Sequence, residues 1–113
     1  MPEPSPIGAV CLFCGSSDQA SPEFLSAAAD MGRVLAAADV RLVYGGGGTG
    51  LMGAAARACH EAGGRVLGVM PDFLRDRERL YDEVETVVVS SMHERKLTMY
   101  DASDAFVVLP GGI

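Results

Sequence analysis

The sequence is short of positive charge. Nine basic residues stand against fifteen acidic ones, a formal net charge of −6, and only one of the nine, Lys96, is a lysine. A face that binds DNA or RNA needs a surplus of basic residues to displace phosphate counterions, so no nucleic-acid partner is expected. A small phosphate ligand is not excluded, because a few backbone N–H groups and one arginine can hold it locally. Long apolar runs are missing too. None approaches the ~20 residues of a membrane span, so no membrane partner is expected. The opening Met1-Pro2-Glu3-Pro4-Ser5-Pro6 is proline-rich and acidic, where a secretory leader needs a basic and then an apolar stretch. Residues 1–6 are therefore expected to form a disordered tail, and the protein to be cytoplasmic. Cysteine is scarce: the three residues Cys11, Cys14 and Cys59 are an odd number, which fits a reducing compartment. Cys11 and Cys14 form a C-x-x-C, but they sit at the end of an apolar run and no second ligand pair exists. The favoured reading is small buried thiols rather than a redox or metal site. His60 lies beside Cys59 on a helix and faces another way, and His93 has no ligand partner at metal spacing. Neither metal nor cofactor is expected.

What remains is the balance of a globular domain. About half of the residues are hydrophobic (49%) and a fifth charged (21%), which excludes a disordered chain, and 113 residues suit one domain. Short apolar runs alternate with amphipathic stretches, the signature of βαβ units around a parallel sheet. Strands are expected at 7–13, 40–44, 65–69, 84–89 and 105–109. The helix after the first strand starts with Ser21 as cap, Pro22 and Glu23, and runs to about residue 38 with Phe24, Ala28, Met31 and Leu35 on its inner face. A second helix spans 51–61 and ends at Gly63-Gly64. The charged stretch 72–83 reads as a solvated loop or short helix. A third helix, capped by Ser90-Ser91, covers about 92–103. The fold class is α/β: a Rossmann-like doubly wound parallel sheet, one nucleotide-binding domain over 1–113. The fifth strand leads into Pro110-Gly111-Gly112-Ile113 where a further crossover helix is due. The carboxyl-terminal part of the domain is thus expected to be missing, with apolar surface of the last strand uncovered.

Two segments carry candidate chemistry. Gly45-Gly46-Gly47-Gly48-Thr49-Gly50 matches G-x-G-x-x-G between a strand and a helix. Glycines let a ligand approach the backbone, and the helix start aims N–H groups and a positive dipole end at it. A phosphate or ribose-phosphate site, a dinucleotide site and a merely structural turn all stay open. The dinucleotide reading is the weakest, because the string follows the second strand and the acid about 20 residues on, Asp72, follows a proline in a charged loop. Ser91-Met92-His93-Glu94-Arg95-Lys96 places cations in the first turn of a helix at the carboxyl edge of the sheet. The helix dipole disfavours them there, and gripping phosphate or ribose oxygens is one compensation. An ordinary solvated helix face, with Arg95 paired to a nearby acid, is the other reading. His93 can equally be a substrate-orienting or a structural imidazole.

Phe13-Cys14-Gly15-Ser16-Ser17, the string Gly45-Gly46-Gly47 through Gly50-Leu51-Met52-Gly53, and Met92-His93-Glu94-Arg95-Lys96 before Leu109-Pro110-Gly111-Gly112 occur here in one order and spacing. In these the sequence resembles the LONELY GUY family across nearly its whole length. The resemblance implies a cofactor-free Rossmann-fold homodimer that hydrolyses the N-glycosidic bond of a purine nucleoside 5'-monophosphate. Free base and ribose 5-phosphate result, the base being a cytokinin or plain adenine. It implies that Arg95 is catalytic and that Arg95, Lys96 and Glu78 line the substrate site. Gly46 and Gly47 would join that site, and Pro110, Gly111, Gly112 and Ile113 would open the phosphate-binding loop. The family's string continues P-G-G-x-G-T-x-x-E, whereas this sequence ends after Ile113. The implied catalytic glutamate is therefore not among these residues, and Glu78 and Glu94 cannot simply be assumed to substitute for it.

Two rival functions remain. A nucleotide- or phosphate-binding module without catalysis would keep the glycine turns and lack turnover. A pyridoxal-phosphate lysine decarboxylase would need a Schiff-base lysine, for which Lys96, beside Arg95, is the sole and poorly placed option.

Overall fold

Five short apolar runs form one sheet: β1 (Ala9–Phe13), β2 (Arg41–Tyr44), β3 (Val66–Pro71), β4 (Glu85–Val89) and β5 (Ala105–Val108). The computed structural model describes residues 7–13, 21–75, 81 and 83–109. Every strand pair is parallel, and the strand order is β4-β3-β2-β1-β5. Parallel strands need crossovers, and three of the four here carry an α-helix: α1 (Pro22–Ala37), α2 (Gly50–Glu61) and α3 (Met92–Asp101). The chain steps from β1 outward to β4, then returns to place β5 on the far side of β1. That reversal sends α3 to the opposite face from α1 and α2 if all crossovers keep one hand. Two separate cores follow. Val10, Leu12, Leu42 and Tyr44 pack under Ala28, Leu35, Ala55 and Cys59 of α1 and α2. Ala9, Cys11, Val43, Leu67 and Val69 pack under Met99 of α3. The doubly wound α/β architecture expected from the sequence is the observed one.

The local details follow from capping and pairing. Ser21 caps α1, its hydroxyl accepting from the Phe24 amide at 3.4 Å, with Pro22 in the first turn. Phe24 is exposed, however, and Leu25 packs inward in its place. The inner stripe of α1 is Leu25, Ala28, Met31, Gly32 and Leu35, which differs from the expected one at its start, where Leu25 replaces Phe24. β1 begins two residues late, because the Asp104 carboxylate takes the amides of Gly8 and Ala9 at 2.7 and 3.1 Å. β3 runs on to Pro71, held by pairing with Val89 of β4; its fixed φ suits an extended strand end. α3 stops at Asp101, with the Ser103 hydroxyl donating back to the Met99 carbonyl at 2.7 Å. Among the described residues of the charged stretch, Asp72–Leu74 form a 3-10 turn. Residues 1–6, expected to be a tail, lie outside the described residues.

β5 carries the uncovered surface that the sequence predicts. Phe106 and Val108 are 45% and 66% exposed, and Phe106 stacks between Phe13 and Tyr100 with ring centroids 6.1 and 5.6 Å away. On the other face α1 and α2 approach almost backbone to backbone. A Cβ on Gly32 would stand 2.3 Å from the Ala55 carbonyl oxygen and 2.9 Å from the Cys59 nitrogen, neither of which can yield without moving a helix. Gly32→Ala is therefore expected to lower stability by about 1–3 kcal/mol, as overpacking does, read as a lower urea midpoint at unchanged slope. An unchanged midpoint contradicts this packing.

Candidate functional site

The carboxyl ends of the strands gather Gly45 to Thr49 after β2, residues 72–75 after β3 and Ser90-Ser91 after β4. Ligands bind at this edge in open α/β sheets. The glycine turn itself is fully packed: Gly45, Gly46, Gly47 and Gly48 are all buried. Gly46 has φ +86°, a conformation glycine adopts freely and other residues resist. Thr49 is the N-cap of α2 but its side chain makes no capping bond, in contrast to Ser21 and Ser91 at the other two helices. The Thr49 hydroxyl thus does not cap the first-turn amides of α2.

Arg95 is the centre of the arrangement. Ser91 starts α3 by accepting from the Glu94 amide at 3.1 Å, and the Glu94 carboxylate bonds the Ser90 hydroxyl. One residue later, the Arg95 side chain turns inward and is 9% exposed, the only buried charged residue among those described. Its Nε donates to the Val69 carbonyl at 3.1 Å and its Nη2 to the Gly45 carbonyl at 2.5 Å. Nη1 lies 3.9 Å from the Met92 sulfur. The solvated-face reading of Arg95 is thereby replaced: the guanidinium is buried and holds the ends of two strands. Gly45 makes this possible, since a Cβ there would lie 2.2 Å from Nη2.

Two opposing contributions set the energetics. Hydrogen bonds from a charged donor contribute about 1.5–3 kcal/mol each, while burying an ion costs several kcal/mol. These two bonds offset a good part of the penalty and hold the guanidinium in one orientation. They fix a cation at the carboxyl edge of β2 and β3.

Of the residues singled out in the sequence, Arg95 and the Gly45-Gly46 turn are brought into contact. Lys96 and His93 are exposed on α3. Glu78, Pro110, Gly111, Gly112 and Ile113 lie outside the described residues. The sequence reading missed Tyr81, which is 8% exposed and packs into the core beneath α2. Its amide donates to the Gly46 carbonyl at 3.0 Å. The only sign of it was an apolar pair, Leu80-Tyr81, inside a charged stretch. Gly45 and Gly53 also prove sterically required: a Cβ on Gly53 would stand 2.4 Å from the Gly48 carbonyl.

Of the C-x-x-C, Cys11 is among the described residues and Cys14 lies outside them. The Cys11 thiol is fully buried, and burial pushes it up to about 11, partly countered by a hydrogen bond with Ser103. Cys59 is buried and raised as well. Among the described residues, no three histidine, cysteine or acidic side chains converge on a metal-sized site. Because the thiolate is the reactive species, Cys11 and Cys59 are expected to resist iodoacetamide at pH 8 in the native protein. Both should react once urea unfolds it, with mass spectrometry counting the adducts. Rapid native labelling of Cys11 contradicts its burial.

Comparison with known proteins adds the rest. Residues 52–113 match a family described as possible lysine decarboxylase. The curated cytokinin riboside 5'-monophosphate phosphoribohydrolase LOG5 of Arabidopsis thaliana is 48% identical, over 91% of this chain and 46% of that protein. LOG4 of the same plant is 45% identical over 96% of this chain and 51% of its own length. The probable phosphoribohydrolase LOGL9 of Oryza sativa subsp. japonica is 50% identical, again over 91% and 46%. The chain thus spans about half the length of these relatives. Among solved structures, the Moco carrier protein of Chlamydomonas reinhardtii superposes with a TM-score of 0.76 at 23% identity, covering 92% of this chain and 62% of that one. The molybdenum cofactor binding protein of Rippkaea orientalis does so with a TM-score of 0.76 at 23% identity, covering 93% and 63%. These last two show a shared fold. The decarboxylase chemistry in the family's description needs an enclosed lysine, and Lys96, the single lysine, is exposed. By the family match over residues 52–113, and by 45–50% identity to phosphoribohydrolases over more than nine-tenths of its length, the chain belongs to the LONELY GUY family.

Proposed function

We propose that this chain carries the Arg95-centred part of a site that hydrolyses the N-glycosidic bond of a purine nucleoside 5'-monophosphate, releasing the base and ribose 5-phosphate. The observation that carries the reading is the buried Arg95 guanidinium, held by Val69 and Gly45 at the ligand-binding edge of the sheet. The names of the relatives supply the chemistry: each is a cytokinin riboside 5'-monophosphate phosphoribohydrolase.

In this reading the substrate lies across the carboxyl ends of β2 and β3. The α2 start, with its amides uncapped by Thr49, favours an anion there through N–H groups and dipole. Arg95 supplies a fixed positive charge for the phosphoribosyl oxygens. A cation already oriented by two backbone carbonyls needs no reorganisation when charge shifts during bond cleavage, which is the property that makes such groups effective. Cleavage of a glycosidic bond also needs a carboxylate to stabilise the developing oxocarbenium ion. Glu78 is the residue of this chain proposed to line the pocket, with Lys96 at its rim and Gly46, Gly47 and residues 110–113 around the phosphate.

The test is release of adenine from AMP and of N6-isopentenyladenine from its monophosphate, by the 113-residue chain and by a version extended through G-T-x-x-E. Release by the extended version alone is the expected result. Equal release by the short chain assigns the carboxylate role to a residue within it. Binding of both nucleotides without release by either version overturns the enzymatic reading in favour of a nucleotide-binding module. In whichever version is active, Arg95→Ala is expected to lower turnover by roughly a hundredfold or more, the scale of losing one positioned transition-state stabiliser. Turnover within about threefold of the parent sinks the assignment.

A further inference from the structure

The two carbonyls that flank the φ rotation of Gly46 are held from opposite directions. That of Gly45 accepts from Arg95 Nη2, on the α3 side, and that of Gly46 accepts from the Tyr81 amide. Gly46 is the pivot between them, with φ +86°. A glycine at such a pivot leaves the peptide planes on either side free to rotate against each other. Holding the Gly46 carbonyl fixes one of the two peptide planes that meet at the Gly46 Cα, which narrows the swing of the other plane, the one carrying the Gly45 carbonyl that seats the Arg95 guanidinium. The pivot has little room to shift, since Gly46 also rests on β3: a Cβ on Gly68 would come within 2.9 Å of the Gly46 Cα.

Tyr81 is built to hold such a position. Its ring is buried under α2, with the Arg57 guanidinium 5.1 Å from the ring centroid and His60 edge-on at 6.3 Å. Its hydroxyl donates to the Glu83 carboxylate at 3.0 Å. A cation over the ring face and an aromatic edge each add attraction beyond burial alone. The ring is thus anchored independently of the hydroxyl, and the backbone amide follows the ring.

We infer that Tyr81 is a positioning residue for Arg95, acting through the Gly45-Gly46 peptide. The inference rests on the reading of Arg95 as the substrate-contacting cation, but its geometric half is testable alone. The Arg95 Nε–H bonded to Val69 should give a resolved, slowly exchanging proton in 15N-edited NMR spectra of the 113-residue chain. Gly45→Ala, which thrusts a Cβ at Nη2, sets the scale of full displacement. Tyr81→Ala is expected to speed exchange of this proton by roughly tenfold or more, while strand amides such as that of Cys11 keep their protection. Tyr81→Phe, which retains the ring and its contacts with Arg57 and His60, should restore the parental rate. If Tyr81→Ala unfolds, Arg57→Met tests the same anchor, with a smaller acceleration expected. An Arg95 proton that stays protected in the folded Tyr81→Ala or Arg57→Met protein overturns the inference. In the base-release assay, Tyr81→Ala should lower kcat by roughly tenfold with KM nearly unchanged, since orientation rather than binding is lost. Faster Arg95 exchange with parental kcat overturns the catalytic reading of Arg95 and leaves the geometric link standing.

Discussion

A guanidinium with two backbone carbonyls as its seat is the constraint around which this end of the sheet is organised. Val69 belongs to β3, Gly45 directly follows the neighbouring β2, and Arg95 lies on a helix on one face. One side chain therefore ties the last turn of β2 to β3 and both to α3. The demands on the sequence radiate from it. Position 45 has to lack a side chain, because any Cβ would occupy the place of Nη2. Position 46 has to tolerate positive φ so that the chain can turn away toward α2. Ser91 has to start α3 where it does, since a start one residue off would rotate Arg95 by about 100° around the helix and away from the carbonyls.

The same contact links packing to chemistry. Burying a charge costs several kcal/mol, and the hydrogen bonds to the two carbonyls work against that cost. What the arrangement secures is orientation. A positive charge held rigidly at the carboxyl edge of a parallel sheet is useful where an anionic ligand binds, and costly almost anywhere else. The opposite face of the sheet contributes through Tyr81, whose amide fixes the next carbonyl of the same turn. The glycine turn is thereby clamped between the two layers of helices. That explains how four consecutive glycines, the most flexible of residues, come to be buried and ordered.

Much of this was legible in advance. Alternating apolar runs announced a parallel sheet, and Ser21-Pro22-Glu23 and Ser91 announced helix starts, because those signals are local and capping chemistry depends on a few adjacent residues. The position of Arg95 at a helix start was also visible, as was its conflict with the dipole. Its destination was not. The carbonyls of Gly45 and Val69 lie 50 and 26 residues away along the chain, and a backbone acceptor leaves no mark in the identity of the residue that bears it. Phe24 was misplaced for a related reason. Helical periodicity permits either Phe24 or Leu25 to begin the inner stripe of α1, and contact with α2 selects Leu25.

The sequence by itself therefore determined the elements, their order, the doubly wound class and the strings that mark the family, all of which are written in local pattern. Tertiary structure alone decided which face each helix covers, that the glycine turn is packed rather than open, and that Tyr81 and Arg95 grip adjacent carbonyls of it. The reason is physical. Local pattern encodes hydrophobic period and capping, whereas the direction of a carbonyl or a guanidinium depends on where the folded sheet brings distant backbone segments together.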